Sequence, residues 1–133
     1  MASFIYTKAK QAFLGGQINL STDTIKAALV TSSYVPDQNG DQFVDDLGLN
    51  RLGTDQTLTG KTITNGVFDA DNATFPSITG PSIGGIVIYK DTGDAATSPL
   101  IAYIGSGIGL PAVPDGSNVV VSWPNTDFRI FKL

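Results

Sequence analysis

The sequence contains no cysteine and no histidine, and all twelve of its acidic residues are aspartate. Without cysteine there is no disulfide, no thiolate nucleophile and no thiolate metal site. Without histidine the commonest general base and the commonest transition-metal ligand are both missing. Neither a Ser-His-Asp nor a Cys-His arrangement can be built from this chain. The lack of glutamate removes a good helix former, and the abundance of Thr, Val, Ile, Gly and Asn points to β-structure. Positive charge is scarce as well. Eight basic residues are scattered from Lys8 to Lys132, and the net charge is -4. Such a chain has no basic stripe to neutralise phosphates and no polybasic segment for anionic lipid, so neither nucleic acid nor a membrane is expected as a partner. No apolar run approaches the roughly 20 residues needed to span a bilayer. The opening residues, Met1 to Lys8, lack the basic-then-apolar order of a signal peptide, so the chain is expected to be made soluble inside a cell.

What is present suits one domain spanning residues 1–133. A chain of 133 residues with 41% hydrophobic composition can bury a core without covalent staples. Its 15 glycines and 7 prolines exceed average usage but fall short of low-complexity disorder, which indicates a folded domain rich in turns.

From Phe4 to Leu14 the apolar residues are spaced as in a helix, with Ile5, Ala9, Ala12 and Phe13 on one stripe. Gly15-Gly16 stops it, giving a helical N-terminal segment over residues 1–16. At this length the helix must dock on something, either its own domain or a neighbouring subunit. From Ile18 the period changes, and Ile25–Thr31 reads as a strand after the turn residues Ser21-Thr22-Asp23. A polar loop follows, and Phe43–Leu47 reads as one helical turn with Phe43, Val44 and Leu47 inward. Short strands are predicted at Thr57–Thr59, Lys61–Thr64, Val67–Ala70 and Ala73–Phe75. The dipeptide Asn65-Gly66 marks a hairpin, because both residues accept the positive φ of a type I′ turn. Gly84–Lys90 is apolar on both faces, as a central strand would be, with Leu100–Ile104 as its antiparallel partner. Val119–Trp123 and Phe128–Leu133 are expected to form the last pair. Seven or eight strands at intervals near ten residues predict an all-β, antiparallel β-sandwich, of which a jelly roll is one form, with one short N-terminal α-helix.

No segment declares an active site. Asp69-Ala70-Asp71-Asn72 offers three oxygen-bearing side chains, but its spacing completes no Ca²⁺ loop and reads as a turn. Asp37, Asn39 and Asp41 start like an EF-hand but lack the glycine at its sixth position. Gly105-Ser106-Gly107-Ile108-Gly109 lacks the Lys-Ser/Thr ending of a phosphate-binding loop. Pairs of aspartates could serve a glycosidase, yet twelve in one chain supply many accidental pairs. Tyr89, Tyr103 and Trp123 lie on predicted core strands, so packing accounts for them. The expectation is a chain that is not an enzyme, with no catalytic residue, cofactor or metal ligand to name.

The order of segments is more informative. A short N-terminal helix leads into Asp23-Thr24-Ile25-Lys26-Ala27-Ala28-Leu29-Val30. Leu58-Thr59-Gly60-Lys61-Thr62, Gly66-Val67-Phe68-Asp69-Ala70-Asp71 and Thr74-Phe75-Pro76 follow. Then come Ile86-Val87-Ile88-Tyr89-Lys90-Asp91-Thr92-Gly93 and Ser98-Pro99-Leu100-Ile101-Ala102-Tyr103, and the chain closes on Gly109-Leu110-Pro111, Val121-Ser122-Trp123 and Ile130-Phe131. This succession resembles a family of small structural proteins encoded by tailed bacteriophages, over nearly the full length. The resemblance implies a virion protein made in the host cytoplasm and carried on the capsid surface. Its role would be that of a capsid cement, or decoration, protein that locks neighbouring major capsid subunits together. Its expected partners are the major capsid protein and copies of itself, as a dimer or trimer. The alternative is a tail-associated or adhesive module that binds surface glycans. A small hydrolase relying on Asp alone is disfavoured by the missing His and Glu. For the contacts, Ala2–Leu14 and Tyr34–Leu49 are the candidate segments. Phe4, Tyr6, Phe13, Tyr34 and Phe43 are the candidate partner-binding residues, because these large apolar groups fall outside the predicted strands.

Overall fold

Long apolar runs bounded by turn residues can satisfy their backbone only by pairing, and three of them form the centre of this molecule. A computed structural model of the chain describes residues 3–105, 112–123 and 130–132. In chain order the elements are β1 (Phe4–Ile5), α1 (Thr7–Leu14), β2 (Ile25–Thr31), a 3-10 turn (Val44–Leu47), β3 (Arg51–Thr57), β4 (Thr62–Thr64), β5 (Val67–Asp69), β6 (Ala73–Phe75), β7 (Ile83–Lys90), β8 (Leu100–Ile104), β9 (Val119–Val121) and β10 (Phe131–Lys132). Among the described residues the fold is all-β with one short helix, as the sequence predicts. Its strands form sheets of five, three and two strands, in the orders β1-β8-β7-β2-β3, β10-β5-β4 and β6-β9. Every pairing is antiparallel.

In β2, β7 and β8 nearly every residue is buried, although successive side chains point to opposite faces. The middle of the five-stranded sheet is therefore covered on both sides. Helix α1 lies against β8 and buries Ala9 and Ala12. Gly85 is required by close packing. A Cβ there would lie 2.7 Å from Cζ of Tyr103 on β8. The hairpin β4–β5 turns through Asn65 (φ 53°) and Gly66 (φ 78°), the geometry that the Asn-Gly dipeptide predicts.

Four expectations need correction. The helix begins at Thr7, because Phe4–Ile5 instead pairs with Tyr103 and Ala102 on β8, and Tyr6 is extended. The strand expected at Thr57–Thr59 lies at Arg51–Thr57, where pairing with β2 imposes extended backbone on a mostly polar sequence. Of the residues expected inward in the 3-10 turn, Val44 and Leu47 are buried and Phe43 is only half-buried. The last two strands do not pair with each other: β9 pairs with β6 and β10 with β5. Neighbouring short apolar segments carry no local signal of partner choice, which here is decided by distant strands.

Candidate interaction surface

The N-terminal segment is bound to the molecule by polar contacts as well as by packing. The backbone N–H of Tyr6 donates to the Ile101 carbonyl (3.0 Å), which extends the β1–β8 pairing by a residue. Its ring then turns inward. Tyr6 and Tyr34 share a hydrogen bond between their hydroxyls (2.7 Å), and the Tyr34 hydroxyl also donates to Oδ2 of Asp41 (2.6 Å). Both rings are buried, and desolvation of the phenolate pushes both hydroxyls well above the ordinary tyrosine range. The Asp41 carboxylate also accepts the backbone N–H of Asp37 (3.0 Å), so it holds the loop as well as the phenol.

Further stitches join this loop to the N-terminus. The Thr7 N–H donates to the Gln38 carbonyl (2.9 Å), and its hydroxyl donates to Oδ1 of Asn39 (2.7 Å). The Gln38 side-chain amide donates to the Ile5 carbonyl (3.3 Å). The first part of the Tyr34–Leu49 segment thus meets the Ala2–Leu14 segment, whereas its far end at Leu49 lies beside β3, at the opposite edge of the five-stranded sheet from β1.

The five candidate residues divide. Phe4 stacks its ring 5.2 Å from Tyr6 and 5.6 Å from Tyr103, and Tyr34 lies 6.0 Å from Tyr103. Phe4, Tyr6 and Tyr34 therefore belong to one aromatic cluster organised around Tyr103. Tyr6 and Tyr34 are 0% and 5% exposed, which corrects their expected place on a contact surface. An aromatic residue outside a strand still finds the core when its hydroxyl has a partner there. Phe4 and Phe13 are half-buried and packed against the core. Phe43 stands apart, half-buried and bridged through its backbone to Pro99. Sequence reading missed the apolar side chains in these segments that do face outward: Leu14, Val35 and Leu49, the last fully exposed. Leu14 precedes Gly15-Gly16 and Leu49 follows Gly48. Those breaker positions were the available signal that neither side chain could continue a buried stripe.

Helix α1 separates two concave surfaces. Lys8 and Lys10, two positions apart, sit on opposite flanks of the helix. On the Lys10 side runs a groove of about 720 Å³, with Phe4, Ile5, Ile104, Ile130 and Phe131 as its apolar lining and Lys10 and Lys132 at its rim. It lies between the edge strand β1 and β10 of the three-stranded sheet. On the Lys8 side is a smaller cleft of about 260 Å³, whose lining includes Gln11, Gln17, Gln42 and Phe43.

The loop at Asp37 acts as a turn, whereas residues 70–72 link β5 to β6 without one. Oδ1 of Asp37 accepts the N–H groups of Asn39 (3.2 Å) and Gly40 (3.0 Å). The Asp71 backbone carbonyl receives the indole N–H of Trp123 (3.0 Å). Among the described residues no group of three or more acidic side chains is placed to hold a metal ion. The Gly105–Gly109 segment lies, beyond Gly105, outside the described residues. No described helix is long and apolar enough to cross a membrane. Comparison of the sequence with protein-family models and with curated proteins finds no match.

Proposed function

We propose that this chain is a virion structural protein, a capsid cement that binds the outer surface of a phage head and ties neighbouring major capsid subunits together. The observation that carries this reading is the surface built by β1, α1 and the first part of the Tyr34–Leu49 loop. It is held in shape by hydrogen bonds and presents an apolar groove of about 720 Å³. A surface fixed before contact loses little conformational freedom on docking, so more of the burial appears as affinity. Leu14, Val35 and Leu49 add exposed apolar side chains to the same segments. The groove, whose lining joins Phe4, Ile5, Ile104, Ile130 and Phe131 to Lys10, Gln38 and Lys132, offers the mixture of apolar centre and polar rim that protein interfaces use. A dimer or trimer on a symmetry axis would repeat the contact and convert modest single-site affinity into firm retention.

Deleting residues 2–14 would remove Tyr6, Ala9 and Ala12 from the core, so the deletion cannot separate binding from folding. Substitutions at the surface do separate them. Purified heads lacking the protein are mixed with the wild-type chain, Ile5→Asp or Leu49→Asp, then sedimented and heated. The wild type is expected to co-sediment saturably and to raise the temperature at which heads disrupt. A folded Ile5→Asp chain should lose more than about ten-fold in retention, since a charge would enter the groove. Absence of the wild-type chain from purified particles, or full retention of the folded groove variant, would overturn the proposal.

A further inference from the structure

The smaller cleft beside α1 differs in chemistry from the groove. Its volume, about 260 Å³, falls below the range of about 300–1,000 Å³ typical of sites for drug-sized ligands, and so suits one small ring. Its walls are fixed by backbone bonds. The Gln42 carbonyl accepts the Leu100 N–H (2.8 Å), Phe43 is bridged to Pro99, and the Gln17 N–H donates to the Ala12 carbonyl (2.8 Å). Four exposed polar residues of its lining are nevertheless uncommitted within the protein. Gln11, Gln17 and Gln42 make no side-chain hydrogen bond among the described residues, and Lys8 makes neither a hydrogen bond nor an ion pair there. Lys90, also in the lining, is already engaged by Asp23 (3.2 Å) and by the Gln17 carbonyl (2.8 Å). In a chain with twelve aspartates, none contributes to the described lining of this cleft.

From this combination we infer that the cleft binds one carboxylated sugar residue of the hexuronic acid class. Each glutamine amide offers both a donor and an acceptor, which matches the adjacent hydroxyls of a pyranose. The Phe43 and Pro99 rings provide an apolar floor for the sugar's C–H face. The Lys8 ammonium meets the carboxylate in a charge-assisted bond, which is stronger than a neutral one. The inference goes beyond the particle-binding proposal and does not depend on it: the ligand and the cavity differ, although Lys8 and Gln11 of α1 and Gln42 and Phe43 of the Tyr34–Leu49 loop belong to segments that the proposal also uses.

The test is a titration of the ¹⁵N-labelled full chain with sodium glucuronate, glucose and sodium acetate at constant ionic strength, followed by amide shifts. Glucuronate should saturate with a Kd on the order of millimolar, and bind about ten-fold tighter than glucose or acetate. Shifted amides should cluster around Lys8, Gln11, Gln42 and Phe43. Lys8→Met should bring glucuronate down to the glucose level, while Phe43→Leu should weaken both sugars and leave acetate unchanged. Gln11→Ala, at an exposed position, provides a variant that retains the fold and should weaken both sugars. The inference is overturned if neither sugar saturates, if acetate matches glucuronate, or if Lys8→Met leaves the preference for glucuronate intact. The sugar titration uses the chain without heads, and co-sedimentation is judged on the wild type and on Ile5→Asp in the other groove, so failure here and failure of the particle-binding proposal are distinguishable.

Discussion

The central sheet and the surface beside it are held together by different physics. In β2, β7 and β8 the interior is almost entirely aliphatic, with Leu29, Ile86, Ile88 and Ile101 fully buried and packed on both faces. The surface made by the N-terminal segment and the first part of the Tyr34–Leu49 loop depends instead on a few named polar groups, Tyr6, Thr7, Tyr34, Gln38 and Asp41. Dense apolar packing spreads a defect over many neighbours. A buried polar chain concentrates it, because removing one member leaves another without a partner. The scaffold is thus specified by pattern, and the surface beside it by individual atoms.

The largest expected effect tests whether the two regions come apart together. All four tyrosines, Tyr6 and Tyr34 beside the loop and Tyr89 and Tyr103 in the sheet, have hydroxyls raised above the ordinary value of about 10 by burial. Above pH 10 the unfolded chain loses phenolic protons that the folded chain keeps, so stability is complete below that pH and falls as pH rises. Each pH unit removes about 1.4 kcal/mol per tyrosine still protonated in the fold. Phenolate absorbance and far-UV circular dichroism are expected to change in one transition well into the alkaline range. Phenolate signal from part of the tyrosines before any loss of β-signal would show that the N-terminal surface opens on its own.

Substitutions sharpen the contrast next. Ile88→Ala, in the middle of β7, should cost about 2–5 kcal/mol in denaturant unfolding through lost burial and a residual cavity. Tyr34→Phe changes almost no volume but leaves the Tyr6 hydroxyl without its partner and Asp41 without its phenol donor. A cost of about 1–3 kcal/mol is expected. Adding Tyr6→Phe should then cost less than it does alone, because the orphan hydroxyl is removed with it. Additive effects in that cycle would mean that the two hydroxyls do not act as one chain.

The same contrast explains what the sequence discloses. Ile25–Thr31, Ile83–Lys90 and Leu100–Ile104 are legible because continuous apolar runs encode burial on both faces. The β4–β5 hairpin is legible because Asn65-Gly66 encodes its own turn. Strand β3 is not, since Arg51-Leu52-Gly53-Thr54-Asp55-Gln56-Thr57 has a single apolar residue and becomes a strand only by pairing with β2. β1 is hidden for a related reason: two residues continuous with a helical stripe carry no period of their own, and β8 makes them extended. At the surface beside the sheet, sequence placed Tyr6 and Tyr34 outside the core, and the structure buries both. Their burial follows from a hydroxyl pair 28 residues apart in the chain, which no local pattern announces.

The smallest expected effect comes from a polar contact at the exposed end of the sheet. Asp91 follows β7, and its carboxyl is held below the ordinary carboxylate range, first by the backbone N–H of Gly93 (2.9 Å) and then by Lys26 on β2 (3.2 Å). A depressed carboxylate contributes stability above the ordinary aspartate value of about 3.9, and that contribution is lost as pH falls through its lower value in the fold. Solvent reaches both partners, so Asp91→Asn should cost less than about 1 kcal/mol near neutral pH and nothing once the wild-type carboxyl is protonated. Unfolding of the two chains in denaturant at pH 7 and at successively lower pH, until the difference between them vanishes, measures both halves of that statement. A cost at pH 7 comparable to that of Tyr34→Phe would break the comparison, because a half-buried ion pair at the ends of two interior strands would then matter as much as a buried hydroxyl chain.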